Sequence, residues 1–326
     1  MKILYLHRSK EFGGYSFEEL FTTIKNNIKN CEIVDFYDKT FNGFFKNISA
    51  VKKINTDLYH ITGGIGYYSI FLPTKKTILT IHDTNHYEED LKGLKKWVFG
   101  YLIYKLPYSN SKFITVVSNH TKNRLIKLFK FNPNKIRVIP NCYPINFKYS
   151  EKKTDDSIFK ILQIGTKKIK NLERLIFALE GLNVELTIIG KVNNKISTLL
   201  KENDINWVNK FDLNQEEIYT EYKNTDLVTL ISLCEGFGLP IIEAQVIGRP
   251  VITSNKCSMP EVANDSAHIV DPYNIEEIRF GIEKIINDDN YRNLLIEKGL
   301  KNAANYSPNH IASLYENLYQ EILNIN

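Results

Sequence analysis

Short apolar runs recur along the first half of the chain, separated by more polar stretches. Runs of five or six residues predict buried strands at residues 2–7, 32–36, 58–62, 77–82, 113–117 and 135–139. Between them, apolar residues at helical spacing predict helices starting near residue 16 and covering 91–106 and 121–129. This alternation of strands and helices indicates a mostly parallel sheet with helices on both faces.

A second series of the same kind follows residues 150–157, a polar stretch without periodicity that predicts a linker. Its predicted strands cover 159–164, 184–189, 227–233, 250–253 and 268–270, and its predicted helices cover 171–182, 275–287, 290–304 and 308–323. We therefore expect two α/β domains, residues 1–150 and 151–326, which suits a chain of 326 residues. One option is that the last helix, about 308–323, belongs to the second domain in sequence but packs back on the first.

The most informative stretch follows the predicted strand at 227–233. It contains Glu235, the glycines Gly236 and Gly238, then Pro240 and Glu243. Proline is favoured at the start of a helix, so the order is strand, glycine turn, helix. Such a turn offers backbone N–H groups and the positive end of a helix dipole to a phosphate. The two carboxylates do not suit the phosphate itself. They suit hydroxyl groups, as on a sugar and a ribose.

Residues 235–244, Glu-Gly-Phe-Gly-Leu-Pro-Ile-Ile-Glu-Ala, resemble the E-x7-E signature of the retaining glycosyltransferases of family four. Val117-Ser118, residues 138–141 and Pro260-Glu261 are similar to further landmarks of that family, so the resemblance covers nearly the whole chain. It implies the GT-B fold, in which two doubly wound Rossmann-like domains face each other across a cleft. It also implies that the first domain binds the acceptor and the second binds the nucleotide-sugar donor.

The resemblance implies roles for individual residues of the donor domain. Glu243 would accept hydrogen bonds from the ribose hydroxyls. Glu235 would hold a hydroxyl of the transferred sugar and help to stabilise positive charge on its ring. Backbone N–H groups from Gly236 to Leu239, a stretch that includes Phe237 and Gly238, would hold sugar hydroxyls and phosphate. Lys170 would neutralise the leaving diphosphate.

A second loop of the donor domain follows the predicted strand at 159–164. It contains Gly165, Thr166, Lys167 and Lys170, and lysines in such a loop can meet a diphosphate as point charges. Lys170 with Asn171 matches the family pattern. Thr166 stands where the family usually has arginine, so that basic contact is absent or falls to Lys167.

In the first domain, His82 ends a predicted strand and precedes an acidic residue, as a histidine does in the family. The resemblance places His82 near the donor sugar and the reaction centre. A histidine is more often a hydrogen-bonded core or surface group, and we favour that interpretation for His60. Gly13 and Gly14 resemble the family's first glycine loop, near the diphosphate and acceptor, and Asn141 is a further candidate there.

Charge is distributed unevenly between the two halves. Residues 1–150 contain 23 Lys and Arg against 11 Asp and Glu, and residues 151–326 contain 19 against 26. The first half is therefore expected to meet an anionic membrane surface or to present only a solvated lysine-rich face. Nucleic acid is not expected, because no recognition motif accompanies the charge. Residues 92–113 mix lysines with aromatic residues, as interfacial helices do. We expect Trp97 and Tyr101 in the core, with the lysines facing outward.

No apolar run approaches the length of a membrane span. The first apolar run is too short for a signal peptide and is interrupted too early by a charged residue. We expect a cytoplasmic protein, with peripheral attachment to the inner face of the cytoplasmic membrane as an option. The four cysteines are scattered without a C-x-x-C pair and are expected to be reduced thiols. No metal site and no cofactor are predicted, since a nucleotide-sugar is a substrate.

Taken together, the residues and the resemblance predict a retaining, metal-independent hexosyltransferase. It would move a sugar from a nucleotide-sugar to a glycan or lipid-linked acceptor, in cell-surface polysaccharide or glycolipid assembly. Two alternatives stay open. One is a nucleotide-sugar epimerase or a glycan phosphorylase on the same fold, although epimerases lack the acid–glycine–acid signature and phosphorylases need a pyridoxal-bearing lysine. The other is a non-catalytic carbohydrate or nucleotide-binding module, which only turnover excludes.

Overall fold

The computed structural model describes residues 1–9, 16–38, 43–152 and 158–324. Contacts divide them into two compact units, of which the second is Tyr143–Ser307. The first unit contains Met1–Cys142 and the C-terminal stretch from Pro308. The division thus falls before the predicted boundary at residue 150, and the last helix groups with the first unit. Ser150, the first residue of the predicted linker, lies in the second unit, and its carbonyl accepts a hydrogen bond from Arg249 of the same unit. Residues 153–157 lie outside the described residues.

Six parallel strands form the sheet of the first unit. They are β1 Lys2–His7, β2 Glu32–Tyr37, β3 Leu58–Ile61, β4 Thr77–Ile81, β5 Phe113–Val116 and β6 Ile136–Val138. Their spatial order is β2-β1-β3-β4-β5-β6. Each lies within one residue of a strand predicted from the apolar runs. The central strands are buried along their length, as expected for a parallel sheet covered on both faces.

Helices follow the strands of the first unit. They are α1 Ser16–Asn27, α2 Phe44–Lys53, α3 Gly93–Phe99, α4 Leu106–Ser109 and α5 Asn119–Phe129. The predicted helix at 91–106 is present, but a π-helical segment, Gly100–Lys105, joins α3 to α4 without a break. Another π-helical turn, His86–Asp90, precedes α3. Short 3₁₀ turns occur at Gly66–Phe71, Thr74–Lys76 and Pro133–Lys135.

The second unit also contains a six-stranded parallel sheet. Its strands are β7 Phe159–Ile164, β8 Val184–Ile189, β9 Asn206–Lys210, β10 Leu227–Leu230, β11 Val251–Ser254 and β12 His268–Val270, in the spatial order β12-β11-β10-β7-β8-β9. The sequence analysis missed β9, whose Asn-Trp-Val-Asn-Lys sequence is too polar to form an apolar run because the strand lies at an edge. The strand predicted at 227–233 ends at Leu230.

Seven helices among the described residues surround this sheet. They are α6 Leu172–Leu179, α7 Asn194–Glu202, α8 Gln215–Asn224, α9 Leu239–Ile247, α10 Met259–Ala263, α11 Ile275–Asn287 and α12 Asp289–Ala304. Asparagine or aspartate side chains accept backbone N–H groups at the start of four of them, at Asn193, Asn214, Asn274 and Asp288. These caps satisfy N–H groups that a helix start leaves without partners, and so they define where the helices begin.

The last helix, α13 Pro308–Asn324, packs against the sheet of the first unit. Tyr319 donates or accepts hydrogen bonds with Tyr5 at 2.9 Å and with His60 Nδ1 at 2.7 Å, all within the buried core. His60 Nε2 lies 2.8 Å from the Thr80 hydroxyl. His60 is therefore a core residue, as the sequence analysis favoured. No helix among the described residues is both long and apolar enough to cross a membrane.

Both sheets are doubly wound, and the strand order reverses once in each. The reversal falls between β1 and β3 in the first unit and between β10 and β7 in the second. Ligands of such sheets bind outside the carboxyl ends of the strands, at the reversal point. The loops after these four strands are therefore the places to look for a site.

Candidate functional site

The loops after β7 and β10 are joined at the reversal point of the second sheet. The backbone N–H of Leu233 donates to the carbonyl of Ile169 at 2.8 Å. The side-chain amide of Asn171 donates to the carbonyl of Ile231 at 3.2 Å and to that of Pro272 at 2.7 Å. The structure thus brings together two loops that the sequence predicted separately, the one with Lys170 and the one with Glu235.

Glu235 accepts hydrogen bonds from two donors through one carboxylate oxygen. Lys170 Nζ lies 2.6 Å from Oε1, and the Ser232 hydroxyl donates to the same oxygen at 2.6 Å. The Lys170 and Glu235 side chains are 20% and 17% exposed, so the ion pair is only partly solvated. The carboxylate is held in one orientation with a cation beside it. Sequence reasoning proposed both charged residues but not their pairing, and it missed Ser232.

The turn after Glu235 is held from the other side by Ser258, which is fully buried. Its Oγ lies 2.8 Å from the carbonyl oxygens of both Glu235 and Phe237. Next to these residues, Cys234 and Cys257 form a disulfide with Cα atoms 5.3 Å apart. The prediction that all the cysteines are reduced thiols is wrong for this pair, because a separation of 23 residues gives no local signal. Cys31 and Cys142 are free thiols.

Gly238 makes the turn into α9. Its φ is +107°, and a Cβ at this position would lie 3.1 Å from the Ile241 side chain, so both backbone and space require glycine. Gly236 and Leu239, on either side, are half-buried, and Phe237 is buried with its ring edge-on to Tyr306. The glycine turn and the helix start therefore occur where the sequence predicted them.

Glu243 lies in the second turn of α9. The Tyr222 hydroxyl, at the end of α8, donates to Glu243 Oε2 at 2.6 Å. Burial, together with the neighbouring Glu243 charge, raises the pKa of Tyr222 well above its ordinary value, so the hydroxyl keeps its proton and remains a donor. Tyr222 orients the carboxylate, and no motif in the sequence pointed to it.

The loop after β7 is built around Gly165, which has φ +92° and lies against the Lys170 side chain. The buried Gln163 amide lies 3.4 Å from the carbonyls of Gly165 and Lys170 and supports both ends of the loop. The Thr166 hydroxyl donates to the carbonyl of Lys191 at 2.8 Å, and Lys167 is exposed. Of the predicted loop residues, the structure thus brings Lys170 to Glu235 and directs the Thr166 hydroxyl to the loop after β8.

In the first unit, His82 follows β4 and is 8% exposed. Its Nε2 donates to the Thr62 carbonyl at 2.8 Å. Burial lowers the pKa of His82, so the imidazole is neutral near pH 7 and carries its proton on Nε2. Gly63 has φ +142°, and a Cβ there would lie 2.9 Å from the His82 ring. The His82 ring therefore leaves room only for glycine at position 63. This close approach brings the loops after β3 and β4 into contact.

Several polar residues beside His82 were missed by the sequence analysis. His7, at the end of β1, bonds Asp35 through Nε2 and the Thr62 hydroxyl through Nδ1, both at 3.0 Å. Burial raises the pKa of Asp35, but hydrogen bonds from His7 and Lys25 outweigh it, and the pKa lies below its usual value. The apolar run that predicted β1 does not indicate that the histidine at its end takes part in a polar cluster.

Arg8 and Glu18 form an ion pair at 2.7 Å, which joins the residues on either side of the stretch 10–15. The predicted glycines Gly13 and Gly14 fall in that stretch and lie outside the described residues. Asn141 follows β6 and is buried, so it belongs to the carboxyl edge of the same sheet. The ion pair had no counterpart in the sequence analysis.

Two protein families match this chain, one in each half. The family described as Glycosyl transferases group 1 matches residues 144–302. Glycosyltransferase Family 4 matches residues 29–147. Together the two matches span residues 29–302, which include Lys170, Glu235, Glu243 and His82.

Individual relatives agree with the family matches. The O-antigen chain mannosyltransferase B of Escherichia coli is 26% identical over 243 residues, which are 65% of this chain and 61% of that protein. The capsular polysaccharide biosynthesis glycosyltransferase CapM of Staphylococcus aureus is 27% identical over 261 residues, 72% of this chain and 68% of that protein. The chain therefore spans 61% and 68% of the length of these curated relatives.

The fold also matches solved structures. The HepE protein of Anabaena, solved in complex with UDP and glucose, matches with a TM-score of 0.78 at 15% identity. The match covers 98% of this chain and all of that one. At this identity the likeness establishes the fold, two doubly wound sheets of the GT-B type. With that fold and a family match in each half, the chain belongs to the GT-B glycosyltransferases of family four.

Proposed function

We propose that this protein moves a sugar from a nucleotide-sugar donor to a glycan or a lipid-linked acceptor. The observation that carries the proposal is the geometry of Glu235, held by Lys170 and Ser232 at a sheet reversal point, beside the glycine turn that begins α9. A role in cell-surface polysaccharide or glycolipid assembly is supported by the names of the O-antigen and capsular relatives.

The donor is proposed to bind the second unit. Glu243, oriented by Tyr222, would accept hydrogen bonds from the ribose hydroxyls. Glu235 would hold a hydroxyl of the transferred sugar and stabilise positive charge on its ring. The N–H groups from Gly236 to Leu239 would bind sugar hydroxyls and phosphate. Lys170 is close enough to Glu235 for both charges to meet one ligand, the cation at the diphosphate and the carboxylate at the sugar.

The transfer is proposed to retain the anomeric configuration. The bond from the anomeric carbon to the diphosphate oxygen breaks, and the bond to the acceptor oxygen forms on the same face. The acceptor's hydroxyl proton passes to the leaving diphosphate. Lys170 supports this step because a cation beside the diphosphate stabilises the negative charge that develops there. Analysis of the product's anomeric configuration by NMR tests it, and an inverted product would contradict it.

Transfer is further proposed to need no metal ion, because Lys170 and the start of α9 supply positive charge at the diphosphate. Activity in EDTA is expected to equal activity in added Mg²⁺. Loss of activity in EDTA with recovery on adding Mg²⁺ would contradict this part of the proposal.

The acceptor is proposed to bind the first unit, with His82 near the transferred sugar. A neutral His82 with its proton on Nε2 could accept a hydrogen bond at Nδ1, which suits a sugar hydroxyl. The excess of positive charge in residues 1–150 supports peripheral attachment to an anionic membrane surface, expected at the inner face of the cytoplasmic membrane.

The first experiment identifies the donor by thermal shift with UDP-, GDP-, ADP- and TDP-sugars. UDP-glucose and a mannose donor belong in the panel because HepE was solved with UDP and glucose and the E. coli relative is a mannosyltransferase. A ligand at 100 times its Kd stabilises the folded protein by about 2.7 kcal/mol, which shifts the melting temperature measurably.

The second experiment measures release of nucleoside diphosphate from the stabilising donor. Release that depends on an added glycan or lipid-linked acceptor supports the proposal. A change of the sugar without release of nucleoside diphosphate indicates an epimerase. Donor binding with no turnover over a panel of acceptors indicates a binding module, and either result would contradict sugar transfer.

A further inference from the structure

The helical run made of α3 and the π-helical segment Gly100–Lys105 carries an uncovered apolar face. We propose that this face docks on anionic lipid. The inference rests on the peripheral attachment proposed above and assigns it to five side chains, called here the docking stripe. They are Leu94, 77% exposed, Trp97, 66%, Val98, 40%, Tyr101, 46%, and Leu102, 46%.

The docking stripe is continuous along one side of the helix. Its residues follow one another at intervals of three, one, three and one, the spacing that places side chains on one face over two turns. Trp97 and Tyr101 stack with their ring centroids 6.1 Å apart and their planes 9° from parallel. The stripe therefore forms a single apolar ridge, and the prediction that Trp97 and Tyr101 lie in the core is wrong.

The opposite face of the same helix explains why that prediction failed. Phe99 and Ile103 pack against the core of the first unit, and Tyr104 is buried with its ring 4.9 Å from that of Phe129. The helix is thus apolar on both faces, and the core of the first unit covers one of them. A surface helix normally carries polar residues on its outer face. A contiguous exposed apolar face instead marks a surface that contacts another body.

The charge of the chain segment that begins with this helix indicates the partner. Residues 91–150 contain 12 Lys and Arg and no Asp or Glu, whereas residues 1–90 contain 11 of each. The positive excess of the first half therefore belongs entirely to the segment that begins with this helix. Lys92, Lys95 and Lys105 are exposed along the helical run. An apolar ridge with lysines beside it matches the interface of an anionic bilayer, where aromatic rings insert among headgroups and lysines meet the phosphates.

The acidic residues nearest to the stripe offset only part of this charge. In the preceding π-helical turn, Glu88 pairs with Arg124 and Asp90 with His86, while Glu89 is exposed. A second copy of the chain is a poorer partner than lipid. A two-fold contact through the stripe would bring the lysines of both copies together, and like charges across an interface are unfavourable.

The test uses the full chain and vesicles of phosphatidylglycerol mixed with phosphatidylcholine, compared with vesicles of phosphatidylcholine alone. The protein has two tryptophans, so Trp207→Phe leaves Trp97 as the only reporter. Anionic vesicles are expected to shift Trp97 emission to the blue, and brominated lipid chains are expected to quench it. Unchanged emission would overturn the proposal. Co-sedimentation with the same vesicles measures binding without relying on the Trp207 variant.

Variants then locate the surface. The double change Leu94→Ser and Trp97→Ser should weaken partition into anionic vesicles at least about ten-fold, because two apolar side chains no longer enter the interface. Phe45→Ser, at a 79% exposed phenylalanine elsewhere in the first unit, is the matched control and should bind as the wild type does. Changing Lys92, Lys95 and Lys105 to Gln should weaken binding by about five-fold per lysine, with less effect at high salt.

The possible failures are distinguishable. If the wild type does not bind anionic vesicles, peripheral attachment fails as a whole, while acceptor-dependent release of nucleoside diphosphate by the same wild-type protein still tests sugar transfer. If the wild type binds but the Leu94→Ser, Trp97→Ser variant binds equally, the docking stripe is wrong and attachment stands. If the wild type is a dimer by light scattering and this variant is a monomer, a second copy covers the stripe and the lipid proposal is overturned.

Discussion

The two sheets carry polar clusters at the same topological place, but the clusters are chemically different. In the second unit, Lys170 and Glu235 form a partly solvated ion pair. In the first unit, the buried neutral His82 donates to the Thr62 carbonyl. A partly solvated pair can exchange partners with a ligand at small cost. A buried imidazole cannot, because losing its partner leaves buried polar groups unsatisfied. We therefore expect changes in the second cluster to affect turnover with little loss of stability, and changes in the first to lower stability in addition to any effect on the sugar contact proposed for His82.

The largest expected effect is that of Glu235→Gln. Glutamine keeps the shape but removes the charge that faces Lys170 and the proposed transferred sugar. Turnover should fall by about 10²–10³-fold, the range seen when one group that stabilises transition-state charge is lost. Nucleoside diphosphate release measures it, and circular dichroism with a melting curve checks the fold.

The matched control is Glu276→Gln, an exposed carboxylate in the first turn of α11. Its turnover should equal that of the wild type. Near-normal turnover of Glu235→Gln, or an equal loss in both variants, would remove Glu235 from the proposed site.

The second-unit cluster is also tied covalently, and the first is not. Cys257→Ser removes the disulfide to Cys234, which closes a loop of 23 residues. The free energy of unfolding should fall by about 3 kcal/mol, from the loss of loop-closure entropy in the unfolded chain. Urea unfolding with and without dithiothreitol measures it. Cys31→Ser, at a free thiol, should show the same response to reductant as the wild type. If the free energy of unfolding of the wild type is the same with and without dithiothreitol, the disulfide is contradicted.

The support of His82 is tested by Gly63→Ala. The substitution places a Cβ about 2.9 Å from the imidazole in a backbone conformation that L residues rarely adopt. We expect a loss of about 2–3 kcal/mol of stability from strain and displacement of the ring. Gly93→Ala separates the two causes, because Gly93 has φ +56° with open space around its Cβ position, and should cost about 1 kcal/mol. Equal losses in the two variants would show that the contact with His82 contributes nothing.

The smallest expected effect is on the pH dependence of stability. Burial lowers the pKa of His60 to about 3 and also lowers that of His82. Because the folded values lie below the unfolded value of about 6.5, this stability is complete above pH 6.5 and is lost as pH falls. His60 alone should account for about 2 kcal/mol between pH 6.5 and 5, at about 1.4 kcal/mol per pH unit.

The free energy of unfolding of His60→Gln, measured at pH 7, 6 and 5, should show a correspondingly shallower slope than that of the wild type. His310→Gln, at an exposed histidine near the start of α13, is the control for the loss of a histidine outside the core. An unchanged slope in His60→Gln would mean that His60 does not couple folding to protons in this range.

Much of the fold could be predicted because its signals are local. The apolar runs placed all six strands of the first sheet, and the glycine turn placed the start of α9. The edge strand β9 was missed because exposure relaxes its pattern. Trp97 was wrongly assigned to the core. Its helix is apolar on both faces, and the spacing of apolar residues alone does not show which of the two faces the rest of the protein covers.

The candidate site was predicted in part for the same reason. Glu235 and Glu243 belong to one contiguous motif, and Lys170 to another. Tyr222 and Ser258, which orient them, are 21 and 23 residues from their partners and carry no motif of their own. In the first unit, Thr62 meets His7 across 55 residues of chain. Contacts of this kind depend on strand order, which no single segment encodes.

The sequence by itself determined the strand and helix pattern, the glycine turn with its two acids, and the charge imbalance, because these depend on neighbouring residues and on composition. Only the tertiary structure decided that Lys170 pairs with Glu235, that His82 is neutral and bound to Thr62, and that the docking stripe on α3 and the π-helical segment after it is left uncovered. The physical reason is that burial, pKa and partner choice follow from which distant segments meet, and the order of strands in the two sheets sets those meetings.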